Sequence, residues 1–147
     1  MLEAAIRLHA VDVAAEHLSI VSEADLIVLA SSDEQNRARL DELPAHVDRL
    51  AVVTDVARPK ADIARAGLAL PENFTFVGGH PVVRAEGDIR DARADLFVGR
   101  PWILTPTDPA RSSSAVARLE AFIAALGARP RVVEPAEYAR VVAALDV

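Results

Sequence analysis

The 147-residue sequence contains no cysteine, a single lysine (Lys60), six glycines and only six aromatic side chains. Without cysteine there are no disulfides, thiolate metal sites or thiol nucleophiles. Fifteen arginines stand in for the missing lysines, but 22 acidic residues outnumber all the bases and set the net charge at −6. That balance argues against binding nucleic acid through a broad basic face. No apolar run approaches the ~18 residues that cross a bilayer. The mixed start Met1-Leu2-Glu3-Ala4 also lacks the charged and apolar regions of a signal peptide. The expectation is a cytoplasmic protein with neither a membrane nor a nucleic acid as partner. His9, His17 and His46 are scattered without metal-ligand spacing, and no G-x-S-x-G, Walker or G-x-G-x-x-G loop occurs.

What is present is aliphatic. Residues of hydrophobic type make up 52% of the chain, many of them alanine, which suits close packing of helices on a sheet. The length fits one domain over residues 1–147 with a sizeable core.

Two hydrophobic periods alternate along it. Leu2 to Leu8 predicts a short helix with Leu2, Ala5, Ile6 and His9 on one face. Asp25 to Ala30 is a continuous apolar run after an acid, the pattern of a strand buried on both faces. Ser31-Ser32-Asp33 then supplies a turn and N-cap for a helix through Leu43, closed by Pro44. Leu50 to Asp55 predicts a second strand, and a helix from Pro59 to Ala66 follows with Gly67 as its C-cap. Phe74 to Val77 predicts a third strand, broken by Gly78-Gly79.

A short helix is expected near Ile89 to Asp95, and a fourth strand at Trp102 to Thr105. Ser112 to Leu126 predicts an amphipathic helix, its cap supplied by Ser112-Ser113-Ser114 and its apolar stripe by Val116, Leu119, Phe122, Ile123 and Leu126. A fifth strand at Arg131 to Val133 and a helix from Pro135 to Leu145 complete the pattern. The alternation predicts an α/β domain with a mostly parallel sheet flanked by helices.

In open sheets of this kind ligands bind beyond the carboxyl ends of the strands. Ser31, Asp55, Arg58 and His80 converge there if the first three strands are parallel neighbours. His80 follows two glycines and precedes a proline, so its backbone is restricted. Two roles are open to it: general base near neutral pH, or strand cap. Asp55 has a structural reading, as a helix cap or the partner of Lys60. Ser31 and Ser32 either present hydroxyls to a ligand or cap a helix.

Four segments taken together carry a resemblance. They are Ala24-Asp25-Leu26-Ile27-Val28-Leu29-Ala30; Val53-Thr54-Asp55-Val56 followed by Lys60; Phe76-Val77-Gly78-Gly79-His80-Pro81; and Ala94-Asp95-Leu96-Phe97 running into Gly99-Arg100-Pro101-Trp102-Ile103-Leu104-Thr105-Pro106. In order and spacing this set resembles the prephenate dehydrogenase family. The resemblance implies a Rossmann-like domain whose relatives oxidise prephenate or arogenate with NAD or NADP, releasing carbon dioxide on the way to tyrosine. It implies a catalytic His80 acting on the substrate ring hydroxyl, with Ser31, Ser32 and Asp55 lining the nicotinamide half of the crevice.

The departures from the family pattern matter as much. The strand, glycine-rich loop and helix with which relatives open have no counterpart here, so an N-terminally truncated fold is expected, with dinucleotide affinity weak or absent. The family's Gly-Ser after the Thr-Asp-Val strand is Ala57-Arg58, which removes the serine that assists the histidine. Arg84 stands where a small-residue turn is usual. Arg58 and Arg84 either face solvent or bind a small carboxylate. The expected activity is therefore that of an impaired prephenate dehydrogenase-like protein, the alternative being a carboxylate-binding module that keeps the fold without the cofactor site. A strand at 25–30 lacking its usual neighbour has an open apolar edge, which predicts a homodimer or a terminal segment covering it.

Overall fold

The computed structural model describes residues 2–58, 61–84 and 92–145. Five strands form one sheet in the order β1 (Leu26–Leu29), β2 (Ala51–Asp55), β3 (Phe74–Pro81), β4 (Pro101–Thr105) and β5 (Arg129–Val132). Pairing is parallel for β1–β2, β2–β3 and β4–β5 and antiparallel for β3–β4. Around the sheet lie α1 (Leu2–Arg7), α2 (Asp33–Glu42), α3 (Ala61–Leu68), α4 (Pro109–Ala125) and α5 (Tyr138–Leu145). This is the expected α/β architecture with a mostly parallel sheet.

Alternation along the strands divides the core. Ile27, Leu29, Val53, Phe74 and Phe76 pack with Leu40 of α2 and Ile63 of α3 on one face. Val52, Val77, Trp102 and Leu104 pack with Ala115, Leu119 and Ile123 of α4 on the other. Ile103 and Val133 meet Val142 of α5 in a smaller cluster. β2 is buried along its whole length, as a central strand covered on both faces should be.

Several boundaries move, each for a local reason. Gly78 and Gly79 do not break β3; both pair with β4, because Gly78 lies opposite Thr105 and Gly79 opposite Leu104. Gly67 lies inside α3 instead of capping it, and a Cβ there would overlap the Phe76 ring, so the glycine lets helix and strand touch. α4 starts at Pro109, capped by Asp108, whose side chain accepts from the Arg111 N–H. Ser112 to Ser114 are therefore helical, and the Ser112 hydroxyl donates back to the Asp108 carbonyl at 2.6 Å.

The stripe on α4 is only half right, since Phe122 and Leu126 are 37% and 36% exposed. α1 buries none of its residues, and His9 lies beyond it at φ 53, off the expected face. Residues 92–95 are not helical; the remainder of the short helix expected there, with Pro59 and Lys60, lies outside the described residues. Among the described residues no helix is long and apolar enough to cross a membrane.

Candidate functional site

β1, β2 and β3 end on the same edge of the sheet, because each is parallel to its neighbour. The sequence after β1 is spent on holding α2. The Ser32 side chain accepts from the Gln35 N–H at 3.4 Å, and buried Asn36 clasps Ser31, accepting from its N–H at 3.0 Å and donating to its carbonyl at 3.2 Å. A carboxamide folded back on a turn fixes the chain direction where a ligand would approach.

Asp55 ends β2 and is wholly buried. Its Oδ1 accepts from the Gly79 N–H at 2.9 Å, and its Oδ2 has no hydrogen-bond partner among the described residues. Burial pushes its carboxyl up to about 6 from an ordinary 3.8, against the opposing pull of the backbone N–H groups of Gly79, Asp55 itself and Ala57. The carboxylate thus fastens the Gly-Gly segment from the neighbouring strand. A Cβ at Gly79 would stand 2.5 Å from the Asp55 carbonyl oxygen, so the tight approach of β2 to β3 requires glycine.

His80 follows, half-buried, with its Nδ1 2.8 Å from the Tyr138 hydroxyl. The two rings lie 5.8 Å apart, centroid to centroid, and are inclined at 58°. Tyr138 opens α5 just after the turn Pro135–Glu137, and its hydroxyl is a hydrogen-bonding partner to the histidine. The sequence did not single it out; the one signal available was that the chain's single tyrosine stands at the start of a helix that apart from Arg140 is aliphatic.

On the α4 face of the same edge is an open cleft of about 600 Å³. His80 and Arg58 are its polar lining; Val28, Val56, Trp102 and Phe122 are among its apolar walls. Here the exposed end of the α4 stripe finds its place. Arg84 is elsewhere: it lines an adjoining cavity of about 490 Å³ with Arg93 and Arg100. The structure therefore brings Arg58 to His80 and separates Arg84 from both. Among the described residues no cluster of His, Asp or Glu is arranged to hold a metal.

The fit to a dinucleotide is partial. The flat apolar cleft beside His80 has room for a nicotinamide ring, whereas the 147 residues contain no glycine-rich loop to cradle a pyrophosphate. A mostly parallel α/β sheet with its cleft at the carboxyl ends of β1 to β3 defines a Rossmann-like nucleotide-binding domain. The family model for the nucleotide-binding domain of prephenate dehydrogenase matches residues 1–132, and the chain belongs to that family.

Similarity to individual proteins is consistent with this. The chain is 34% identical over 108 residues to the prephenate dehydrogenase of Bacillus subtilis (strain 168), an alignment covering 70% of this chain and 29% of that protein. It superposes on Synechocystis arogenate dehydrogenase with a TM-score of 0.84 at 32% identity, covering 97% of this chain and 50% of that one. A structure of Aquifex aeolicus prephenate dehydrogenase in complex with hydroxyphenyl propionate and NAD+ shares the fold, with a TM-score of 0.77 at 24% identity over 95% of this chain and 49% of that one. The chain thus spans half or less of the length of these relatives.

Proposed function

We propose that the chain serves NAD(P)-linked oxidation of prephenate or arogenate in tyrosine biosynthesis, with His80 as the residue that takes the proton of the substrate's ring hydroxyl. The observation that carries this is the placement of His80: at the end of β3, tied through Nδ1 to Tyr138, and lining the apolar cleft. With Nδ1 engaged, proton exchange with a ligand falls to Nε2. NAD+ is bound by a relative of the same fold, and the cleft beside Ala30 and Val56 suits the nicotinamide end. Ser31 and Ser32 would border that end through the turn they build, and Asp55 would act by holding Gly79.

Assayed as these 147 residues, activity is expected to be impaired, because holding donor and acceptor in register is worth about 7 kcal/mol or more of the barrier and half of the relatives' length is not represented. Calorimetric titration with NAD+ and NADP+ tests the reading. Millimolar nucleotide without measurable heat would refute cofactor binding by this chain. The same reading places the protein in the cytoplasm, testable by fractionation of cells producing it.

A second reading, a carboxylate-binding module without the cofactor, is favoured by one observation: the three arginines that line the cavity next to the cleft. Under either reading we infer a homodimer. β1 pairs only with β2 among the described strands, and Val28 on it is 40% exposed. A second copy covering this edge would remove both an open ladder and an apolar surface from water.

A further inference from the structure

We propose that the cavity lined by Arg84, Arg93 and Arg100 is an anion subsite that grips the carboxylate of a ligand whose apolar body lies in the neighbouring His80 cleft. This rests on the proposed function only in placing the reacting end of the ligand at His80.

The cavity holds about 490 Å³, and every charged side chain among its described lining is an arginine. Arg93 is paired with Asp95 at 3.3 Å, which steadies it, while Arg84 and Arg100 have no ion-pair partner among the described residues. Guanidinium groups sharing one concavity favour an anion, and their planar forks match the two oxygens of a carboxylate.

The backbone places them. The Val82 N–H donates to the Pro101 carbonyl at 2.9 Å, extending the β3–β4 pairing one step beyond Pro81 and Trp102. Arg84 and Arg100 therefore leave the same end of that strand pair. Arg100 is held on both sides, its N–H donating to the Phe97 carbonyl at 3.0 Å and its carbonyl accepting from the Arg129 N–H at 2.8 Å. Gly99, at φ +71, allows the turn that precedes it. Anchored backbones reduce the ordering cost of presenting two long side chains to a ligand.

Continuity supplies the rest of the ligand's chemistry. Val83 and Leu96 line both the arginine cavity and the His80 cleft, so the two spaces share a wall. An aryl or cyclohexadienyl acid matches that pair: a ring against Trp102 and Val56, a carboxylate a few bonds away among the arginines. A free phosphate has the same charge without the apolar body.

The test uses phenylacetate, its uncharged counterpart phenylethanol and inorganic phosphate, each titrated calorimetrically into the full chain. Phenylacetate is expected to bind more tightly than phenylethanol, to weaken with added salt and to be displaced by phosphate. Arg84→Gln with Arg100→Gln should lower phenylacetate affinity about ten-fold, with phenylethanol unchanged and Arg131→Gln as an inert control. Should the double variant melt out, Arg84→Gln alone should give a several-fold loss. Equal binding of acid and alcohol, equal affinity in the wild type and the arginine variants, or phosphate binding without phenylacetate binding would each overturn the proposal. None of these readouts requires nucleotide or turnover, so a chain that fails to bind NAD(P) leaves the result interpretable.

Discussion

The Tyr138 hydroxyl stands 2.8 Å from Nδ1 of His80, although 58 positions separate the two residues in the chain. A hydroxyl both donates and accepts, so it can follow the imidazole: donating to Nδ1 when the ring is neutral with its proton on Nε2, accepting when Nδ1 carries a proton. Tyr138→Phe keeps the ring and removes this tie. The expected result is a change in the His80 tautomer ratio, read from its imidazole 15N shifts, with a stability loss of about 1 kcal/mol. Unchanged 15N shifts would show that the contact does not orient the histidine.

Asp55 predicts a pH dependence. Its carboxyl is raised to about 6 in the folded chain from an ordinary 3.8. Between those values the folded state binds more protons than the unfolded one, so this group's contribution to stability falls as pH rises through the window and levels off above it. The full penalty is up to about 3 kcal/mol. Asp55→Asn retains an oxygen that accepts from the Gly79 N–H and cannot ionise. Urea denaturation should show the variant gaining on the wild type between pH 4 and pH 6; a difference independent of pH would contradict the assignment.

Gly67→Ala is expected to destabilise. Alanine normally improves a helix interior by about 1 kcal/mol, yet here its Cβ would overlap the ring of Phe76 on β3. Overpacking of that kind costs about 1–3 kcal/mol, so the net change should be a loss, measured as a lower urea midpoint. A gain would mean that α3 shifts away from the sheet freely.

Val28→Lys tests the open edge of β1. The side chain is 40% exposed and also lines the His80 cleft, so a charge there should be tolerated by the monomer's fold, and the variant is read by association state alone, not by ligand binding. Sedimentation should show the wild type as a dimer and the variant as a monomer. A monomeric wild type would remove the inferred association.

The parallel core was legible because its strands are continuous apolar runs, and His80 because glycines and a proline frame it. Tyr138 was not, since only the return of the chain through β4, α4 and β5 brings α5 beside β3. Gly78 and Gly79 read as a break because flexibility is a local property, whereas the pairing that keeps them extended comes from Leu104, Thr105 and Asp55 in other segments. The serines at 112–114 looked like a cap, but Asp108 before Pro109 captures the first turn earlier.

The antiparallel step from β3 to β4 also settles the electrostatics of the cleft. Because β4 runs back, α4 begins at the far edge, where the Arg111 guanidinium donates to the Phe74 carbonyl, and finishes at the His80 edge, where Phe122 lines the cleft. The helix thus turns the negative end of its macrodipole, not the positive one, toward the ligand. An anion arriving at this edge gains nothing from α4, and the helix end that favours it there is the N-terminus of α2, which follows β1 at the same edge.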